Sequence, residues 1–433
     1  MMRPSVLALA LFTVGGLAHA RKPDAKASAP AAKAPMAALL SAADEITRQV
    51  GALRGLPAKK ALARGVLGRT EIGAKIKARL NEEYAPGEVR AESRVLHRVG
   101  LLPADLDYEK LLLDVLMEQV AGFYDPYTAK LYIADWLPLE MQRPAMAHEI
   151  EHALQDQHFG LKQFSTPIKD NGDKQLARAA LVEGDGTLLM LEFQAQAMGL
   201  PTEQLPDLVT TMGKQMLEMG MASTPLFAKA PAFLKETLIF PYFSGLQLVA
   251  QLKRQGGWAR VDQAFKAPPE TTEQVLHPEK YLSGEKALPV TVPSLTAQLG
   301  GRKEDRRDVL GELGWRILLA QAVPEAEAET AAKGWGGDRL ISFSEPGKSD
   351  APPTVIVASI WDSETDAVEV EAAAKKLLAK LGGKTAPTAT GLIVDPNRDE
   401  WLLERHGARL VLVMGAPPNT AAVAVAELWR GWP

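Results

Sequence analysis

The sequence predicts an α+β chain, with a mainly helical region that contains a small β-hairpin, followed by a smaller α+β region. Three observations carry this reading. Apolar residues recur at helical spacing from about Ala38 to Glu118, and again from about Pro144 to Lys280. Between these stretches, AGFYDPYTAKLYIAD switches to a strand–turn–strand pattern. After residue 290, short β-rich runs alternate with two helical stretches.

The first twenty residues, MMRPSVLALALFTVGGLAHA, have the layout of a signal peptide. Arg3 gives the positive start, Ser5 to Leu17 form a short apolar stretch, and Ala18-His19-Ala20 fits a small-x-small cleavage site. The stretch is too short to span a bilayer. Residues 21–37 are mostly Ala, Pro and Lys and read as an extended linker. In the helical region, Leu39, Leu40, Ala43 and Ile46 recur at helical spacing, and Leu111–Leu116 is strongly apolar. The hairpin is expected at Gly122–Tyr124 and Leu131–Ala134, with a turn at Asp125-Pro126. A helix should begin near Pro144, since Pro suits a first helical turn, and a second long one should cover about Gln175–Met198. The first domain is bounded at 38–290 and the second at 291–433. In the latter, DRLISFS, PTVIVASIW, GLIVD and ARLVLVMGA read as strands. Ser363–Leu381 and Ala421–Trp429 read as helices, the former opened by Ser363-x-x-Asp366 and closed by Gly382-Gly383.

Composition narrows the function. Lys+Arg is 49 against 53 Asp+Glu, a formal net charge of -4, which gives no electrostatic reason to expect nucleic acid or an anionic membrane as a partner. There is no cysteine, so neither a disulfide nor a lipid-bearing Cys is available. After signal cleavage no later segment is long and apolar enough to span a membrane, and an exported protein, periplasmic or extracellular, is expected.

The strongest chemical signal is His148-Glu149-Ile150-Glu151-His152. Two histidines four apart on a helix lie about 40° apart around it and about 6 Å along it, so both rings can reach one ion. Zinc takes His nitrogens and, in catalytic sites, keeps one position open. Glu149, about 100° round the helix from His148, is placed to take a proton from water and pass it to a leaving amine. Met146, Ala147, Ile150, Ala153 and Leu154 form a core stripe roughly opposite the two histidines.

Two residues compete to be the third ligand. His158 gives the spacing HExxHxxxxxH, but a helix break after His152 is needed to bring it back, and Gln155 stands where a Gly would allow that break. An unbroken helix carries His158 about 9 Å along the axis from His152, out of reach. Glu183, in ALVEGDGT on a second helix, needs no such break. Its flanking Gly184 and Gly186 each cost about 1 kcal/mol relative to Ala in mid-helix, which a close approach to the HExxH helix would justify.

With both motifs in place, the chain resembles the gluzincin branch of zinc metallopeptidases. More narrowly, it resembles a poorly characterised set of exported prokaryotic HExxH proteins. The matching stretches are VAGFYDPYTAKLYI, AHEIEHALQDQHF, ALVEGDGT, PYFSGLQLV, GGWARVDQAFKAPPETTEQVLHPEKY and GWGGDRL, in order over about half the chain. The resemblance implies a zincin-like fold for the first domain, a Zn2+ cofactor held by His148, His152 and Glu183, Glu149 as general base, and a peptide or protein substrate. Thermolysin-like gluzincins carry an Asp four residues after the third ligand to orient a His ligand. Here Thr187 stands at that position, which leaves the role to Asp185 or Asp156. Tyr242 and His277 are the candidates for an oxyanion donor. The strand Leu131–Ala134 is either an edge that pairs with extended substrate or a buried strand.

Two other readings stay open from the sequence. One is a non-catalytic envelope protein that keeps the fold for binding or scaffolding. The other is a structural zinc site with four protein ligands, His158 among them. The C-terminal domain carries no recognisable chemistry.

Overall fold

The computed structural model describes residues 35–103, 105–201, 224–348, 351–382, 385–387, 391–394 and 399–432. The expected signal peptide and residues 21–34 of the expected linker lie outside them. The linker ends sooner than expected, because helix α1 (Met36–Arg54) already begins within it. No helix among the described residues is long and apolar enough to cross a membrane.

The described residues form a mixed α+β protein with two sheets. After α1 come β1 (Ala63–Leu67), α2 (Arg69–Glu83), α3 (Glu88–Arg98), α4 (Tyr108–Gln119), β2 (Gly122–Asp125), β3 (Lys130–Ala134), α5 (Leu139–Phe159) and α6 (Lys162–Ser165). Then follow α7 (Gly172–Ala197), α8 (Pro225–Lys229), α9 (Ala232–Lys266), α10 (Thr272–Leu276) and α11 (Pro278–Ser283). The hairpin β2–β3 is present as expected. It is enlarged by β1, which runs parallel to β3, giving the order β1-β3-β2. The strand Leu131–Ala134 is therefore central and not an edge; both of its sides are paired, and β1 and β2 are the edges.

Helix α5 starts at Leu139, earlier than the proline suggested, and Pro144 lies inside it. Pro138 in an extended conformation opens the helix. Every residue of α5 from Ala145 to Gln155 is buried. The stripe Met146, Ala147, Ile150, Ala153 and Leu154 packs with Leu39, Ile46 and Val50 of α1, Tyr124 of β2 and Leu189 of α7. Burying each Leu or Ile there contributes about 1.5–3 kcal/mol. The opposite, histidine-bearing side faces protein as well, so its polar groups must find partners inside the fold.

Helix α7 is capped by Asn171, whose side chain accepts from the Lys174 N–H. It packs along both α5 and α9. The contact with α9 is at backbone distance, since a Cβ on Gly184 would lie 2.2 Å from the Gly245 carbonyl carbon. Gly184 thus serves α9, and it is Gly186 that serves α5. Helix α9 is interrupted at Gly256 and Gly257, whose backbone angles are not helical.

The second part holds β4 (Lys303–Asp308), α12 (Gly311–Leu319), α13 (Glu325–Ala332), β5 (Trp335–Ser344), β6 (Thr354–Trp361) and α14 (Glu364–Gly382). It continues with β7 (Thr385–Pro387), β8 (Gly391–Val394), β9 (Glu400–His406), β10 (Arg409–Ala416) and α15 (Ala421–Gly431). Its seven strands form one antiparallel sheet in the order β4-β5-β6-β10-β9-β8-β7. Helices α12 to α14 cover one face, and α15 with residues 290–299 covers the other. This sheet is tied to the start of α7. Asp308 accepts from the Gly172 N–H at 2.7 Å, Arg339 donates to the Asp170 carbonyl at 2.8 Å, and a Cβ on Gly311 would collide with Asp173. Leu313 and Ile317 of α12 belong to the helical core, so the two parts share packing across residue 291.

Candidate metal centre

Helix α5 presents His148 and His152 one turn apart, and α7 brings Glu183 up to them. Nε2 of His148 lies 3.1 Å from Oε2 of Glu183, and Nε2 of His152 lies 3.4 Å from the same oxygen. The two Nε2 atoms are 2.9 Å apart. All three side chains are buried, and their ligand atoms lie within 4.8 Å of one another. Gly186 makes the approach possible. A Cβ there would sit 2.9 Å from Cε1 of His148 and 3.2 Å from Cε1 of His152.

The donor set suits a borderline divalent cation. Two imidazole nitrogens and a carboxylate are the ligands zinc takes in three-ligand sites. Oε1 of Glu183 is buried with no hydrogen-bond partner among the described residues, a costly state for a carboxylate unless a cation meets it. Burial works against ionising Glu183, but the neighbouring histidines, His152 foremost, outweigh it and hold the carboxyl down at about 2. Burial likewise disfavours a charge on His152, and Glu183 reverses the balance, holding the ring up at about 10. His148 is lowered, first by burial and then by His152. A site in which a buried carboxylate faces an imidazolium is one a metal ion can take over by displacing that proton.

Glu149 points out of the triad, towards the sheet. Its Oε2 accepts from the Tyr124 backbone N–H on β2 at 2.7 Å. Burial pushes its carboxyl up to about 8, partly opposed by His152. A carboxyl raised this way is a base suited to neutral pH.

Beyond these three residues lies a chain of buried polar groups that the sequence foreshadows only in part. Nδ1 of His152 meets Oε1 of Gln155 at 2.8 Å. Nε2 of Gln155 donates to Oδ2 of Asp185 at 2.8 Å and to the Val182 carbonyl at 3.2 Å. Asp185 takes two hydrogen bonds from Arg54 of α1, at 2.8 and 3.1 Å. Arg54 also meets Asp262 at 2.8 Å and Glu151 at 3.5 Å, and its guanidinium stacks 4.4 Å over the Trp258 ring. Burial disfavours the Arg54 charge, but Asp185 and then Glu151 more than restore it, whereas burial keeps Glu151 well above the usual carboxylate range. So neither Asp185 nor Asp156 contacts the histidine that Gln155 holds. Asp185 acts one bond further out, and Asp156 instead accepts from the Tyr124 hydroxyl at 2.7 Å and the Leu161 N–H at 2.8 Å. Gln155 sits three residues after His152, on the same helical face; that spacing was the available signal.

The remaining candidates separate. Tyr242 on α9 is buried beside the triad, its ring centroid 6.1 Å from that of His148. His277 is not brought there: its Nε2 is 2.9 Å from Oε1 of Glu312 on α12, so it tethers the α10–α11 turn to the second part of the chain. His158 lies at the partly exposed end of α5 with its Nε2 2.8 Å from the Pro57 carbonyl, and is not among the converging ligands.

A family model described as a domain of unknown function (DUF8575) matches residues 297–426, within the second part of the chain. No curated protein and no solved structure matches the chain.

Proposed function

We propose that this chain is an exported zinc-dependent peptidase of the zincin type, with His148, His152 and Glu183 as metal ligands and Glu149 as general base. The convergence of two α5 histidines and one α7 carboxylate, with Glu149 on the next α5 position, carries the reading. Bound zinc supplies Lewis acidity towards a peptide carbonyl and makes water acidic near neutral pH. Glu149 takes the proton from the attacking water and delivers it to the departing amine. The Tyr124 N–H donates to one oxygen of that carboxylate and so orients it. Tyr242, whose ring lies beside that of His148, is the residue we propose as donor to a developing oxyanion.

The burial of all four side chains favours a second reading, a structural zinc site in a binding or scaffolding protein. Against it stand the three-ligand set and a Glu149 that such a site does not use. Metal analysis of the purified mature protein, with digestion of a broad peptide library, separates the two. About one zinc per chain with cleavage supports the peptidase. Zinc with no cleavage of any peptide supports the structural site, and no zinc overturns both.

A further inference from the structure

We propose that Gln155 is a positioning residue for the metal centre, acting through His152: it fixes that ring as the Nδ1–H tautomer and so commits Nε2 to the metal. The inference rests on the zinc reading above and adds to it how the second histidine is prepared.

A glutamine amide has a donor end and an acceptor end, so its orientation decides which proton a neighbouring histidine must carry. Here the orientation is dictated from outside the metal site. Two acceptors, Oδ2 of Asp185 and the Val182 carbonyl, lie at 2.8 and 3.2 Å from one end of the Gln155 amide. A carbonyl oxygen only accepts, and Arg54 donates to both oxygens of the Asp185 carboxylate, which therefore serves as an acceptor as well. The NH2 end of Gln155 must therefore face Asp185 and Val182, and its oxygen must face His152. An oxygen 2.8 Å from Nδ1 requires a proton on that nitrogen. The remaining nitrogen, Nε2, then carries the lone pair, and it is the atom that lies among the other ligand atoms. All four groups in this relay are buried, so water does not compete for any of the bonds. The chain of hydrogen bonds from Arg54 through Asp185 and Gln155 thus selects the tautomer of His152.

Two measurements test this. In protein labelled with 15N-histidine and loaded with zinc, long-range 1H–15N correlations distinguish the tautomers, and the His152 signals are assigned by substituting the other histidines one at a time. The expected pattern is a protonated Nδ1 and a metal-bound Nε2; a metal-bound Nδ1 overturns the proposal. Separately, zinc affinity is measured by competition with a chromogenic chelator in Gln155→Leu and Gln155→Glu. Leu removes the acceptor and should weaken zinc binding about 10–100-fold. Glu keeps an oxygen facing Nδ1 but sets its second oxygen against Asp185 and the Val182 carbonyl, so it should bind zinc more tightly than the Leu variant and less tightly than the wild type. Equal losses in both variants would mean that packing, not the acceptor, matters, and would overturn the relay. A wild-type chain that binds zinc, with a Gln155→Leu variant that binds it as tightly, also overturns the relay while leaving the zinc reading intact. A wild-type chain that takes no zinc removes both. Thermal melts in excess chelator show whether each variant folds, and the tautomer measurement needs no variant at Gln155.

Discussion

The Tyr124 backbone N–H donates to Oε2 of Glu149 at 2.7 Å, so β2, an edge strand of the small sheet, sets the direction of the proposed base. A Gln at this position keeps an oxygen for that N–H and nearly the same shape, but cannot accept a proton at neutral pH. Glu149→Gln should therefore retain zinc and stability, while peptide hydrolysis falls by at least about 10²–10⁴-fold, the contribution of a positioned base. Turnover of a cleaved library peptide, measured alongside zinc content, checks this. A variant that cleaves at the wild-type rate would remove Glu149 from the mechanism, and one that loses zinc would make it a ligand.

Glu183→Ala and His158→Ala should separate cleanly. The first removes the carboxylate that both Nε2 atoms face, and zinc affinity and activity should fall together. The second removes one partly exposed hydrogen bond to the Pro57 carbonyl, worth about 0.5–1.5 kcal/mol, and should leave zinc content unchanged. Equilibrium dialysis on both variants decides it; the reverse outcome would place His158 in the site.

Much of this centre was legible in the sequence because helix geometry is local. Histidines four apart must share a face, and glycines beside Glu183 forecast a close approach. What was not legible depends on distant partners. Ala63–Leu67 is short and lacks strict alternation, and becomes a strand only by pairing with Lys130–Ala134. Lys303–Asp308 is wholly charged and is held as an edge strand by β5. Gln155 drew notice only as the residue barring a helix break, since its partner Asp185 lies thirty positions away. The core stripe on α5 was read correctly, but periodicity could not show that the opposite face is also covered.

The two glycines of α7 should respond differently to alanine. At Gly184 the new Cβ would lie 2.2 Å from Gly245 backbone atoms, which cannot rotate away, so α7 and α9 must move apart. Gly184→Ala should destabilise the fold by about 1–3 kcal/mol or more, as overpacking does. At Gly186 the Cβ would meet ring atoms of His148 at 2.9 and 3.0 Å. Those rings can tilt, and Ala is the better helix former by about 1 kcal/mol. Gly186→Ala should stay near wild-type stability in the metal-free state and lose zinc affinity. Urea midpoints in chelator, compared with zinc titrations, test the split; a Gly186→Ala variant with unchanged zinc affinity would show that the histidines are not pressed against α7.

Arg54 is the last test, because it is fully buried and gathers Asp185, Asp262 and Glu151 around one guanidinium. Arg54→Met preserves much of the side-chain volume and the packing on Trp258 but leaves Asp185 without its cation. Breaking a buried pair by removing one partner costs about 3–5 kcal/mol, because the stranded charge has neither water nor a counter-ion. Asp262 is a natural control, as its side chain is 35% exposed and can be resolvated. Asp262→Asn should cost no more than about 1 kcal/mol. Chemical denaturation of metal-free protein measures both. Comparable small losses in the two variants would mean that the Arg54 charge is not what anchors α1 against α7.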